Sequence, residues 1–256
     1  SMIDAPINIR GLKRMAVDNA PSNTVPLPEK QPATNKRVAI IGGGPSGLAC
    51  AYYLELMGHH AVVFEEKSKL GGMLRYGIPN YRLPDSVLDD FQYRHLELKG
   101  IKVRPNTTIG KTITIAQLEE EGYKGIFVGS GAGLPNFMGI KGENAINIMS
   151  SNEYLTRVNL MDAANPLTDT PMNLGKKVVV VGGGNTAMDS CRTAKRLGAE
   201  VTLVYRRSEA EMPARLEEVK HAKEEGINFL TLHNPKEYLA DENGAVKAAV
   251  LDVMQL

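Results

Sequence analysis

The sequence predicts an α/β protein built from two parallel-sheet units in tandem, and three observations predict it. The stretch Arg37 to Glu65 alternates an apolar strand (Val38 to Ile41), a glycine-rich turn, a helix-compatible run and a second apolar strand (Ala61 to Phe64). Lys177 to Tyr205 repeats that order without a gap. Each copy fits G-x-G-x-x-G/A at the strand-to-helix turn, with Gly42, Gly44 and Gly47 in the first and Gly182, Gly184 and Ala187 in the second.

Each part of that pattern has a physical role in holding a dinucleotide. The first glycine allows the tight turn, the second lets backbone approach a pyrophosphate, and the third position lets helix and strand pack closely. The phosphates are then expected on unpaired N–H groups at the positive end of the helix dipole. Glu65 closes the second strand of the first copy, where a carboxylate accepts hydrogen bonds from ribose hydroxyls. The second copy ends instead on Tyr205, Arg206 and Arg207. A carboxylate repels a 2′-phosphate, whereas guanidiniums bind phosphate oxygens in a fork geometry. The first copy is therefore read as a site for FAD or NAD and the second as a site for NADPH. The alternative for Arg206 and Arg207 is a solvated basic loop.

Composition bounds the remaining classes. The chain has 256 residues, 43% hydrophobic and 23% charged, with a formal net charge of +1. That describes an ordinary globular protein and gives no overall field for nucleic acid or an anionic membrane. No apolar run approaches the ~20 residues that span a bilayer, and no signal peptide is visible. The only cysteines, Cys50 and Cys191, each fall on the helix after a glycine loop. They read as reduced core residues in a cytoplasmic protein. Ser1 before Met2 reads as a tag remnant.

In chain order, residues 1–35 comprise an amphipathic helix candidate (INIRGLKRMAVDNA) and a Pro-containing extended connector expected on the surface of the first unit. Residues 66–84 carry Gly71, Gly72, Pro79 and Pro84, so an irregular path beside the cofactor is expected. Residues 85–100 read as a helix, with Asp85 as N-cap and Val87, Leu88, Phe91 and Leu96 on its apolar face. Ile101 to Val103 is a short strand, ITIAQLEEEGY a helix, and Gly125 to Ala132 a strand opening into small residues that suit close contact with a flat ligand. A crossing segment over 133–176 holds one helix near Ser151 to Asn159. Beyond Arg207, a helix interrupted near Met212-Pro213, a strand over Ile227 to Leu232 and two meander strands turning at Asp241 to Gly244 are expected. The implied divisions are 1–35 as helix and linker, 36–150 as the FAD-binding domain, and 151–256 as the NAD(P)H-binding domain lacking its last strand.

Four stretches carry a resemblance: AIIGGGPSGLA, FEEKSKLGGMLRYGIPNYRLP, GGGNTAMDSCRTAKRLGAEVTLVYRRSEAEMPA and EEGINF. From about Ile7 to the end, the chain is similar to the glutamate synthase small (β) subunit family, within the flavoprotein disulfide reductase-like superfamily. Related modules occur in dihydropyrimidine dehydrogenase and in the large subunit of NADH-dependent ferredoxin:NADP oxidoreductase. The resemblance implies two Rossmann-like domains, three-layered around parallel central sheets. It implies FAD on Gly42, Gly44, Pro45, Ser46 and Gly47, with its ribose on Glu65. The far end of FAD would pass Gly72, Met73 and Leu74, the flavin would lie near Arg82 and Leu83, and Gly131 and Ala132 would touch it. NADPH would lie on Gly182, Gly184, Asn185, Thr186 and Ala187, with Arg206 and Arg207 at the 2′-phosphate.

The implied activity is hydride transfer from NADPH to FAD and onward delivery through iron–sulfur clusters. No side chain is required as general acid or base, and His59, His60, His95, His221 and His233 read as surface or satisfied residues. Two departures stand against the family pattern. Two dispersed cysteines cannot supply the roughly four thiolates that a cluster needs, so clusters would lie in a missing region or a partner. The family's C-terminal return to the FAD domain is also absent, so the FAD domain is expected to be incomplete and to bind FAD weakly or not at all in isolation. The implied partner is a large glutamate synthase-type or ferredoxin-like electron-accepting subunit, with homodimerisation through the open C-terminal edge also expected. Two other readings remain: a subunit of a ferredoxin:NADP oxidoreductase, and a nucleotide-binding unit without catalysis of its own. A self-contained disulfide reductase would need a C-x-x-C, which is absent.

Overall fold

The computed structural model describes residues 7–20, 26–92, 96 and 100–255. The first unit begins at β1 (Arg37–Ile41), which leads through the glycine turn into α2 (Pro45–Leu56) and back to β2 (His60–Phe64). The helix α1 (Ile9–Asn19) precedes it. After β2 come α3 (Met73–Tyr76), α4 (Asp85–Gln92), β3 (Lys102–Arg104), α5 (Ile115–Glu120) and β4 (Tyr123–Val128). The four strands are parallel in the order β3-β2-β1-β4. Alternate residues of the central strands feed two cores, Ile40 and Val63 on one face with Leu48 and Ala51 of α2, and Ala39, Val62 and Phe64 on the other with Leu118 and Tyr123. That two-sided burial explains why these strands read as continuous apolar runs.

The second unit repeats the plan with β5 (Lys177–Val181), α7 (Asn185–Arg196), β6 (Glu200–Tyr205), α8 (Leu216–Glu224) and β7 (Asn228–Thr231), parallel in the order β5-β6-β7. Its core joins Val180, Val201 and Leu203 to Met188, Cys191 and Ala194 of α7 and Val219 and Ala222 of α8. The helix α6 (Ser151–Asn159) lies between the units, capped by Ser150, whose Oγ accepts from Glu153 N. An antiparallel hairpin, β8 (His233–Ala240) and β9 (Val246–Val253), follows β7. The crossing segment meets that hairpin through the bridges Lys141–Glu237 and Ile146–Ala245.

Most predicted elements appear near their expected places, with instructive differences. The run after Arg207 splits into a 3₁₀ turn (Glu209–Glu211) and α8, because Pro213 cannot continue a helix that starts before it. Asp85 is the first helical residue rather than the cap, and its carboxylate faces Arg75 at 3.3 Å. Of the predicted helix over 85–100, residues 93–95 and 97–99, including His95, lie outside the described residues. The helix α1 buries none of its side chains, and Arg10 reaches Glu217 of α8 in the second unit. Among the described residues, no helix is long and apolar enough to cross a membrane.

Candidate nucleotide-binding sites

The first glycine turn is built under steric constraint. Gly42 has φ of +101°, and a β-carbon on it would sit 2.4 Å from the carbonyl oxygen of Gly129, just past the end of β4. A β-carbon on Gly47 would sit 1.9 Å from the Gly42 carbonyl oxygen. Those two positions therefore require glycine for the protein's own packing. Gly44 is different: a β-carbon there would lie 3.8 Å from Gly72 Cα, an ordinary contact, so the chain's own packing does not require glycine at this position. Gly44 provides no side-chain cap for α2, and Pro45 occupies the first turn. Uncapped N–H groups beside a glycine shelf fit a bound pyrophosphate.

Glu65 is 3% exposed. Its Oε2 accepts from Gly43 N at 2.7 Å and its Oε1 from Lys67 N at 2.8 Å, so the carboxylate braces the glycine turn. Each oxygen keeps a second lone pair, which fits a ribose hydroxyl as a further donor. The irregular stretch then folds over the turn. Gly71 N donates to Gly43 O at 2.8 Å, and a β-carbon on Gly72 would lie 2.8 Å from Gly44 Cα. Met73 and Leu74 open α3 directly beyond this contact. Gly131 and Ala132 are exposed beyond β4, whose end lies beside Gly42.

Sequence reasoning missed Arg75. It is 3% exposed, donates Nε to Leu70 O, and pairs with Asp85 and Asp89, so it anchors the stretch that covers the first turn. A buried arginine carries no periodic signal, but its place between two glycines and two downstream aspartates was visible. Arg82 and Leu83 lie on the next loop, where both backbone N–H groups donate to Pro79 O. The Arg82 guanidinium is engaged by Asp189 and Glu218 of the second unit.

The second turn has the same form with different supports. Gly184 caps α7 without a side chain, and a β-carbon there would meet nothing within 4 Å. Ala187 replaces the third glycine without conflict, its β-carbon lying 3.6 Å from one built on Gly182. Tyr205 covers this turn where Glu65 braces the first. A β-carbon on Gly183 would fall 2.7 Å from the Tyr205 ring, and the Tyr205 hydroxyl donates to Glu211 O at 3.0 Å. The segment after β6 is fastened back onto the turn, since Ala214 N donates to Gly183 O and Arg215 N to Asn185 Oδ1. Thr186 is exposed at the start of α7.

Arg206 and Arg207 are exposed at the end of β6, and neither side chain makes a hydrogen bond or ion pair among the described residues. Nearby, hydrogen bonds from Ser208 hold the Glu211 carboxyl below the usual carboxylate range, with the Arg207 charge adding to the effect. The two strand ends thus differ in charge as well as in burial.

Two phosphate-cradle units in tandem, one ending on a buried acid and one on exposed guanidiniums, define a two-dinucleotide oxidoreductase architecture. Residues 36–254 match the pyridine nucleotide-disulphide oxidoreductase family, and the chain belongs to it. This is a family of FAD- and NAD(P)H-binding oxidoreductases. The chain is 39% identical over 251 residues to NADPH-Fe(3+) oxidoreductase subunit beta of Geobacter sulfurreducens, covering 95% of this chain and 36% of that protein. It is 38% identical over 220 residues to the glutamate synthase [NADPH] small chain of Escherichia coli, covering 83% of this chain and 46% of the relative. The chain thus spans less than half the length of these relatives. Among solved structures, FprA of Mycobacterium tuberculosis in complex with NADPH matches with a TM-score of 0.63 at 17% identity, covering 86% of this chain and 67% of that one. Thioredoxin reductase of Lactococcus lactis matches with a TM-score of 0.60 at 23% identity, covering 86% and 72%.

Despite the family's description, the cysteines are not placed for dithiol chemistry. Cys191 is buried in the second core, and burial pushes its thiol up to about 12. Burial also raises Cys50. Thiolate is the reacting form. Cys191 is therefore expected to resist iodoacetamide at pH 8 in the folded chain and to alkylate readily in urea, as read by intact mass; rapid modification of the folded chain would contradict the packing described.

Proposed function

We propose that the chain is an NADPH-dependent flavin oxidoreductase module, with FAD on the first unit and NADPH on the second. The observation that supports this most is the contrast between buried Glu65 and exposed, unpaired Arg206 and Arg207 at equivalent strand ends. When bound, the nicotinamide and flavin supply the hydride chemistry, and the protein supplies orientation and electrostatics. On this reading Gly44, Ser46 and Gly47 hold the FAD pyrophosphate on the first turn of α2, and Glu65 holds the ribose. Gly184, Asn185 and Thr186 hold the NADPH pyrophosphate, while Arg206 and Arg207 face the 2′-phosphate. Residues 36–150 and 151–256 are the corresponding domains.

The relatives' names describe subunits, and one names glutamate synthase. We take electrons to leave this module for an iron–sulfur-bearing partner of the glutamate synthase or ferredoxin-like kind. The test mixes the chain with NADPH and a dye acceptor, with and without added FAD. Dye reduction that needs both NADPH and FAD is expected. No turnover under any of these conditions would leave a nucleotide-binding unit without catalysis of its own.

A further inference from the structure

Six charged side chains meet where the two units touch. Arg82, on the loop after α3, places Nη1 2.6 and 2.7 Å from the two carboxylate oxygens of Asp189 on α7. Its Nη2 lies 3.2 Å from Glu218 Oε1 on α8. The other oxygen of Glu218 accepts from Arg192 Nη1 at 2.7 Å. Arg192 donates from Nε and Nη2 to Glu225 Oε1 at 3.0 and 2.9 Å, and Arg196 Nη2 joins the same oxygen at 2.8 Å. Beside them lies the Tyr81 ring, with the Arg196 and Arg192 guanidinium carbons 4.1 and 5.0 Å from its centroid.

Three arginines and three carboxylates balance in charge, and the centre of the group is dry: the side chains of Asp189, Arg192 and Glu218 are 6%, 8% and 11% exposed, while Arg82, Glu225 and Arg196 at its margin are 20%, 22% and 48% exposed. Among the described residues, Arg82 is the only cation that the first unit contributes to it. Removing one member of a buried ionic group strands its partner's charge, so such groups tolerate few alternative arrangements. The two segments joined are significant. Asp189 lies one turn beyond Asn185 on the helix whose N-terminus forms the second cradle. Arg82 follows the stretch whose Gly72 packs on Gly44 of the first cradle. Elsewhere between these parts, Asn159 Nδ2 donates to Tyr76 O at 3.1 Å.

We propose that Asp189 and Glu218 are positioning residues that clamp Arg82 and so set the orientation of the second nucleotide-binding unit against the first. Arg82 then acts as the bolt between units, with both terminal nitrogens already engaged, rather than as a direct ligand of the flavin. The consequence for hydride transfer rests on the function proposed above; the clamp itself does not. Distance between two bound cofactors governs transfer, and a misplacement of about 1 Å can cost on the order of 100-fold in rate.

The test uses the whole chain carrying Asp189→Asn, which keeps shape and removes charge, and Arg82→Gln, singly and together. Calorimetry of the ligand-free wild type is expected to show one cooperative unfolding transition. Asp189→Asn is expected to separate it into two and to raise the radius of gyration in X-ray scattering. The double variant is expected to be no worse than the poorer single variant, because both remove one interaction. Affinity for 2′-phospho-ADP-ribose is expected to stay within about twofold, while NADPH-to-flavin transfer with added FAD slows about tenfold or more. Should Asp189→Asn not fold, Glu218→Gln and Arg82→Lys give the same readouts with part of the group retained. Two independent transitions in the wild type, or a single transition, unchanged radius and additive losses in the variants, would overturn the clamp. Absence of any hydride transfer in the wild type would count against the proposed function alone, since calorimetry and scattering still decide the clamp.

Discussion

Gly47→Ala is expected to lower the thermal midpoint by roughly 6–12 °C, whereas Ala187→Gly at the equivalent position of the second unit should cost only about 1 kcal/mol. The two positions are indistinguishable in the G-x-G-x-x-G/A pattern. In the first unit a β-carbon at Gly47 would meet the Gly42 carbonyl oxygen at 1.9 Å and Ile40 Cγ2 at 3.1 Å. That carbonyl cannot swing aside cheaply, because Gly42 N is bonded to Phe64 O at 2.8 Å and Gly129 crowds its other side. Overpacking of this kind costs about 3 kcal/mol. In the second unit Ala187 already fits, with its β-carbon 3.6 Å from one built on Gly182. Thermal unfolding of both variants decides it. Equal, small losses would mean that the first turn is looser than the contacts around Gly42 require.

Replacing Arg206 and Arg207 together by Gln is expected to weaken NADPH binding about 100-fold or more and to leave NADH within about twofold. A charge-assisted hydrogen bond contributes about 1.5–3 kcal/mol, and two guanidiniums facing one phosphate supply at least two. Both side chains are exposed, so solvent screening keeps the effect near the lower end of that range. Neither side chain is engaged by another protein group among the described residues, so the substitution should leave folding intact. Titration calorimetry with the two dinucleotides separates the cases. Equal loss for both would show that these arginines serve something other than the 2′-phosphate.

Much of the fold was legible because the duplicated unit carries its own punctuation. Val38 to Ile41 reads as a buried strand and Lys177 to Val181 repeats its place before a glycine turn; both are strands, but the second is an edge strand that leaves Val179 and Val181 exposed. The predicted break at Met212-Pro213 became the gap between the 3₁₀ turn and α8, since proline fixes its own φ and lacks an N–H. Side-chain partnerships across the chain were not legible. The sequence marks Glu65 as a ribose acceptor, and the structure adds that it braces the glycine turn through Gly43 N and Lys67 N. In the sequence Tyr205 stands out only as the absence of an acid, whereas in the fold its ring covers Gly183. Nothing in local sequence connects Arg82 with Asp189, more than a hundred positions away.

By itself, then, the amino-acid sequence determined that this protein has two strand–glycine-turn–helix units of the dinucleotide-binding pattern, where each begins, and that their strand ends carry opposite charge. Those are properties of neighbouring residues, set by backbone sterics and side-chain period, and they survive in any arrangement of the two units. Only the tertiary structure decided which third position tolerates a methyl group, which acid is buried and braced, and how one unit is bolted to the other. Such outcomes depend on close packing and on charges brought together from distant segments, and neither is encoded within the reach of a single turn or strand.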